Sequence, residues 1–245
     1  MSSKTRRGSP LSPESTSVWP RVRSSRASNI NALIPVESMK PQFWRSRTTS
    51  PSAHRNGNGG GESEARQRIL QSSYELFSRR GIRDVGVDEV IETAGVAKAT
   101  LYRHFHSKDD LVLAFLERRE QLWTRDFVEA GAEGRGATPE EQLLAIFDVF
   151  DEWFRREDFE ACSFINVMLE MGTEHPAGGA SVRHLRNIRS IVCRLAEEAG
   201  LRDPGSFAHS WHILMKGSIV SAAEGDVEAA RRAQSMARLL VDEYR

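Results

Sequence analysis

The stretch that decides the fold is AGVAKATLYRHF, residues 94–105. If the residues from Lys98 onward form a helix, which turns by about 100° per residue, Leu101 and Phe105 lie on the same side of it. Polar and basic residues occupy the opposite side and the flanks, and Gly95 lies in the turn before them. We therefore expect a short helix with one face in a core and the other open to a partner.

Helical patterns also flank this stretch. Apolar residues predict a helix over about 64–79, ended by Gly81, and a second short helix over about 87–94. Ser107 is placed to cap a long fourth helix that has acidic residues in its first turn. Two short helices joined by a glycine turn follow the helix-turn-helix plan, in which the second helix enters the major groove of DNA.

The polar face of the third helix has the chemistry of a DNA contact. Lys and Arg can meet phosphates or guanine edges, and Tyr and Thr hydroxyls can meet phosphates. The alternative is a solvated polar face on a three-helix cap, but helix order, turn and capping together favour DNA. The predicted DNA-contacting residues are Lys98, Ala99, Thr100, Tyr102, Arg103, His104 and Lys108.

The segment GIRDVGVDEVIETAGVAKATLYRHFHSKDDLV resembles the DNA-binding segment of TetR-family transcriptional regulators, most clearly in AGV, TLYRHF and SKDDL. The likeness covers about 62–112. Gly86 and Ala97 depart from it, because the family usually has a hydroxyl residue capping the helix there, and Ala99 replaces a common glycine. Ala in place of a Ser cap costs about 1 kcal/mol of helix stability. Because neither Gly86 nor Ala97 has a side-chain hydroxyl, backbone N–H groups would have to serve as DNA contacts at these positions.

No strand pattern competes along the rest of the chain, so we expect an all-α fold of nine helices. The resemblance implies a helix-turn-helix domain over 62–108 and a ligand-binding and dimerisation domain over 109–245. We expect a loop over 131–137 and a break at HPAGG, residues 175–179. The later helices are expected over about 139–157, 161–171, 180–199, 204–223 and 226–243.

The second domain combines aromatic residues with a few polar ones, which is the usual composition of a small-molecule site. Ordinary core is the alternative for most of these residues. Asn166 and Glu170 are i, i+4 neighbours on an otherwise apolar helix, and a buried carboxylate needs a partner. The apolar lining predicts a hydrophobic or aromatic effector, and Glu170 is suited to a positive or hydrogen-donating group. The predicted pocket contains Phe147, Phe150, Phe154, Phe164, Asn166, Met168, Glu170 and Trp211.

Other chemistry-bearing residues give weaker indications. His209 and His212, with His175 or Cys162, could hold a metal ion, but ordinary helix positions are favoured. No known nucleophile motif surrounds Cys162. We therefore expect no catalytic residue, metal or cofactor. A basic stripe on the seventh helix is interpreted as a solvated face, with anion binding as the alternative; it consists of Arg183, Arg186 and Arg189.

The net charge of +0 over 245 residues hides a basic arm. Residues 1–60 have ten Lys or Arg and two Glu, a net +8, whereas the remaining 24 basic and 32 acidic residues give −8. We interpret 1–61 as a disordered basic tail. One alternative is a transit peptide, and another is an over-long gene model in which translation starts at Met39 or later. The apolar runs are too short to span a bilayer, so we expect a cytoplasmic, nucleoid-associated protein without a membrane partner.

Together these features favour a homodimeric, ligand-responsive repressor released from a near-palindromic double-stranded DNA operator by a small molecule. An enzyme on a vestigial regulator fold and a ligand-blind activator or adaptor are the alternatives. The resemblance implies dimerisation through the last two helices, where small residues allow close approach. The residues concerned are Gly217, Ser218, Ser221, Ala222, Ala223, Val227, Ala230, Ala233, Ala237 and Leu240.

Overall fold

The helical patterns of the sequence form nine helices over residues 63–245, which are the residues that this computed structural model describes. No strand occurs within that range, so the predicted all-α fold is confirmed. The predicted tail, 1–61, lies outside the described residues. The helices are α1 Glu64–Arg80, α2 Val87–Ala94, α3 Lys98–His104, α4 Lys108–Arg119 continued by Glu120–Glu129 and Ala130–Glu133, α5 Pro139–Phe154, α6 Ser163–Met171, α7 Pro176–Glu198, α8 Pro204–Ala223 and α9 Ala229–Glu243.

Several helices begin where a side chain can satisfy the first free N–H groups. Ser107 Oγ accepts from the N–H of Asp110, whose carboxylate accepts from the N–H of Ser107 in return. Thr138 and Glu141 form the same reciprocal pair, and Pro139 occupies the first turn of α5. Each such cap stabilises a helix start by about 1 kcal/mol. These caps place α4 and α5 where the sequence predicts them to begin.

Two predicted breaks differ from the structure. The loop expected from residue 131 begins later, because α4 continues to Glu133 through a wider π-helical segment in which the N–H of Ala130 bonds to the carbonyl of Arg125. HPAGG does not separate two helices but opens α7, since the His175 side chain caps it. Gly178 then lies against the carbonyl of Gly172, so close that a Cβ would be only 1.8 Å from that oxygen. The glycine serves close packing and does not end a helix.

Helix α4 connects the first three helices to the rest of the chain. The Phe115 ring lies 5.6 Å from those of Tyr74 and Phe77 on α1, in edge-on contact with both. Further along the same helix, Trp123 packs on Phe150 of α5. Buried aromatic side chains of this kind each contribute about 1.5–3 kcal/mol through area removed from water. The boundary predicted at 108/109 therefore falls in the first turn of a shared helix, and the proposed division into domains remains a prediction.

None of the helices between residues 63 and 245 is both long and apolar enough to cross a bilayer.

Candidate nucleic-acid interface

A left-handed glycine sets the angle between α2 and α3. Gly95 has φ 60° and ψ 44°, and its N–H bonds to the carbonyls of Ile91 and Glu92 at the end of α2. A residue with a Cβ is strained in this conformation, which glycine adopts freely. No side chain caps α2 at Gly86 or α3 at Ala97. The first N–H groups of both helices are therefore free of side-chain caps and can meet an anion.

The two faces of α3 differ as the spacing predicts. Leu101 and Phe105 are buried against the other helices of the bundle. Tyr102 is 41% exposed, although large apolar rings usually avoid water. Lys98, Ala99 and Arg103 are also exposed, whereas Thr100 and His104 are half-buried. An aromatic hydroxyl and a guanidinium therefore stand beside each other on an open surface.

Polar contacts hold part of this face in position. The Lys98 ammonium lies 3.0 Å from a carboxylate oxygen of Asp88 on α2, and hydrogen bonding to Asp88 raises the pKa of Lys98. His104 Nε2 is 3.1 Å from Ser63 Oγ, at the start of α1. Arg103 makes no ion pair within residues 63–245. Arg103 and Tyr102 are thus the groups of α3 best placed to act on a partner, and Lys98 would share its charge with Asp88.

Comparison with known proteins explains this arrangement. The family described as bacterial regulatory proteins, tetR family, matches residues 69–115, which contain α2, the turn and α3. The solved structure of SCO4454, a TetR-family transcriptional regulator from Streptomyces coelicolor, is similar at a TM-score of 0.69 and 29% identity, over 74% of this chain and 90% of that one. These findings support a TetR-family transcriptional regulator. The matched residues include α3, which is therefore expected to be the recognition helix.

Two curated relatives show how far the likeness extends. The HTH-type transcriptional activator FasR of Mycolicibacterium smegmatis is 43% identical over 65 residues, which are 26% of this chain and only 30% of FasR. The uncharacterized HTH-type transcriptional regulator Rv1255c of Mycobacterium tuberculosis is 27% identical over 171 residues, 69% of this chain and 80% of that protein. The match to FasR is thus higher in identity, and the match to Rv1255c covers more of both proteins.

A joint between the DNA-binding helices and the rest of this TetR-family chain lies at the loop after α1. The Glu170 carboxylate of α6 accepts hydrogen bonds from the N–H groups of Ile82 and Arg83, at 2.9 and 2.5 Å. The Lys108 ammonium donates to the carbonyl of Ile82 at 2.5 Å. Gly81 has φ 83°, and a Cβ on it would come within 3.1 Å of Glu170 Oε2. The loop is therefore fixed from two sides, by α4 and by α6.

This joint changes the roles expected for two residues. Lys108 is half-buried with one donor committed to the protein, so it acts in the structure as a support for the loop, and its phosphate contact remains a prediction. Glu170 is expected to orient an effector, but its carboxylate already accepts from two backbone N–H groups, so its contact with an effector stays a prediction. The sequence interpretation missed this because Ile82 and Glu170 are 88 residues apart.

The predicted ligand pocket is brought together in part. The ring of Phe147 lies 5.3 Å from that of Trp211 and 6.1 Å from that of Phe150, which in turn lies 5.5 Å from Phe154. Phe164 is separate from this aromatic group within the described contacts and stacks on His184 at 4.9 Å. The four linked rings form an apolar interior between α5 and α8.

Two residues of the predicted pocket, Asn166 and Met168, do not lie among these aromatic rings. Asn166 is exposed, so the expectation that it orients an enclosed effector is wrong. The helix turns this amide to the surface, because its neighbours Phe164 and Val167 take the core positions. Met168 is half-buried and packs against the core without joining the ring contacts.

A buried polar cluster that the sequence did not indicate lies in the π-helical part of α4. The Glu120 carboxylate is 3.2 Å from His184 Nδ1 and accepts from the Asn187 amide at 3.2 Å. Burial alone would raise the pKa of Glu120, but hydrogen bonding and charge from His184, helped by Asn187, hold it below its usual value. These groups satisfy one another and join α4 to α7. Within residues 63–245, no group of three or more His, Cys, Asp or Glu side chains is placed to hold a metal ion.

Proposed function

We propose that this TetR-family protein is a homodimeric repressor that a small-molecule effector releases from a near-palindromic operator in the cytoplasm. The exposed face of α3 carries the proposal, because it presents Tyr102 and Arg103 beside uncapped helix N-termini. Two such helices related by a two-fold axis would enter successive major grooves about 34–36 Å apart.

The outer surface of α8 and α9 supports a dimer. Large apolar side chains are exposed there, and apolar patches of this kind usually mark an interface. Three of the small residues expected to meet the partner, Ala230, Ala233 and Ala237, are buried within the chain, against its other helices. The proposed interface contains the exposed apolar residues, among which only Val227 belongs to the expected set: Ile213, Val220, Val227, Met236 and Leu239.

Sedimentation of a charge variant tests the dimer. Leu239 is 70% exposed on α9, and Leu169 is 74% exposed on α6, away from the proposed interface. We expect Leu239→Arg to give monomers at micromolar concentration, because two copies of the charge would be buried at the two-fold axis. Leu169→Arg is the matched control and should leave the dimer intact. A dimer that survives Leu239→Arg unchanged would contradict the proposed interface.

The joint at Ile82 supports coupling between an effector and the operator. Ligand entering beside the aromatic rings of α5 and α8 would act on α4 and α6, which hold the loop through Lys108 and Glu170. A typical coupling of about 1–3 kcal/mol lowers operator affinity by about 5–150-fold, and the operator then weakens effector binding by the same factor. An effector with equal affinity for both states would release nothing.

The sign of regulation has one competing candidate. FasR, which is 43% identical over 65 residues, is named an activator, so an activating role is the alternative for this chain. A reporter gene placed behind the operator separates the two. Repression predicts higher expression when the regulator gene is deleted, whereas activation predicts lower expression.

Recovery of genomic DNA bound by the purified protein supplies the operator and tests the proposal. We expect a shared near-palindromic sequence, bound more weakly by Arg103→Ala. Arg186→Ala is the matched control, since Arg186 is an exposed arginine of α7, outside the DNA-binding helices. Equal binding of all fragments by wild type and Arg103→Ala would contradict the docking of α3.

A further inference from the structure

A buried histidine of α8 lacks a partner. His212 is 2% exposed, and its Nδ1 atom has no hydrogen-bond partner within the described residues. A buried polar nitrogen without a partner destabilises a fold, and such groups often mark a place where a ligand or water belongs. The ring therefore offers an unused hydrogen-bonding position inside the helical body.

Positive charges gather around this ring. Lys216 follows His212 by one turn of α8, and Arg189 belongs to α7, which packs along α8. Burial lowers the pKa of His212 to about 3, and the charges of Lys216, Arg189 and His209 add to that effect. Burial, followed by the charge of Arg189, also lowers the pKa of Lys216. The charges of Lys216 and Arg189 thus both act on the His212 ring, which they help to keep neutral.

No carboxylate of residues 63–245 forms an ion pair with Lys216 or Arg189. The salt bridges of α7 involve His184 and Arg194, which lie elsewhere on the helix. Nearby positive charges without an acidic partner disfavour each other's charged forms, and a bound anion would relieve that cost.

The start of α6 lies beside the same cluster. Cys162, which is buried directly before α6, lies near enough to Lys216 to influence the pKa of that lysine. The next residue has a buried hydroxyl, Ser163 Oγ, that also lacks a hydrogen-bond partner in the described part of the chain. The first N–H groups of a helix favour negative charge, which adds to the attraction from the cations.

We propose that His212, Lys216 and Arg189 bind the anionic group of the effector, a carboxylate, sulfonate or phosphate carried by an organic molecule. This assignment rests on the proposed ligand response and gives it a chemical class. It replaces the expectation of a positively charged group facing Glu170, whose carboxylate is engaged by the loop after α1. The His212 ring would use its free Nδ1 toward the anion, and Lys216 and Arg189 would supply the charge.

A pair of isosteric probes tests the charge requirement. Calorimetry of the full chain with 2-naphthoate and with its uncharged counterpart 2-naphthamide compares the same ring with and without a carboxylate. We expect wild type to prefer the carboxylate by about 10-fold or more, the usual scale for a charge-assisted hydrogen bond. Lys216→Met and Arg189→Met should each remove most of that preference. Arg186→Met, an exposed change on the same helix, should keep it.

An NMR titration gives a second measurement that does not depend on the fit of the naphthyl ring. Inorganic sulfate should shift the His212 imidazole resonances and raise its pKa, with little effect in Lys216→Met. Failure of both sulfate and 2-naphthoate to perturb His212 would overturn the assignment, as would an equal carboxylate preference in wild type and both methionine variants.

Operator release is measured separately. If a neutral effector released the operator while anions left His212 unaffected, the anion site would be wrong and the ligand response correct. If 2-naphthoate bound with the expected preference but no anionic ligand altered operator affinity, the site would be supported and the ligand response contradicted.

Discussion

Replacement of Glu170 by alanine should loosen the loop that connects the DNA-binding helices to the body. The change removes both acceptors of the Ile82 and Arg83 N–H groups. Water can replace the acceptor at exposed Arg83 but only partly at buried Ile82. Hydrogen bonds to charged groups contribute about 1.5–3 kcal/mol, and because the two bonds share one carboxylate we expect a total within that range.

Amide hydrogen exchange measures this loss where it occurs. A local destabilisation of about 1.5–3 kcal/mol corresponds to exchange about 10–150-fold faster at Ile82 and Arg83. Glu170→Gln keeps one acceptor oxygen and should fall between wild type and alanine. Glu174→Ala removes the same charge from an exposed position just beyond α6 and is the control. Unchanged exchange at both amides in folded Glu170→Ala would refute the account of this joint.

Four further results are expected. Arg103→Ala should cost about 1–3 kcal/mol at particular base pairs in a binding titration. Gly81→Ala should lower the urea midpoint, since φ 83° and the nearby Glu170 carboxylate both oppose a Cβ. Because His212 stays neutral in the fold down to about pH 3, wild type should lose up to about 1.4 kcal/mol per pH unit, relative to His212→Asn, on acidification below about pH 6.5. Removal of 1–61 should keep operator preference but weaken non-specific DNA binding, most at low salt.

Local features were predictable from the sequence because their causes are local. Ser107 and Thr138 cap helices through residues three positions away, and Leu101 and Phe105 follow the helical period. The recognition helix could therefore be assigned from its own residues. The length of α4 could not, because its continuation to Glu133 depends on packing against α5 and on a π-helical segment.

Roles that depend on distant contacts were misjudged. Glu170 is predicted to lie in a pocket because it is on an apolar helix. In the structure its carboxylate instead accepts a hydrogen bond from Ile82, in the loop after α1. The alanines of α9 have the spacing of an interface, yet they fill the space between α9 and its own neighbours, where small side chains allow close packing. Helical periodicity shows that a face is apolar and does not show which surface covers it.

The sequence alone also did not predict that cationic side chains lie near His212. Arg189 appeared as part of a solvated stripe with Arg183 and Arg186, which are exposed. The structure distinguishes it, because Arg189 is half-buried and near enough to His212 to depress its pKa. Only the packing of α7 on α8 brings these groups together.

Footprinting of the full chain on the recovered operator tests the central claim most directly. We predict two protected patches in successive major grooves, centred about 10–10.5 base pairs apart, that weaken together in Arg103→Ala and persist in Arg186→Ala. Protection that is unaffected by Arg103→Ala, or confined to a single patch at saturating protein, would contradict a dimer that reads DNA through α3.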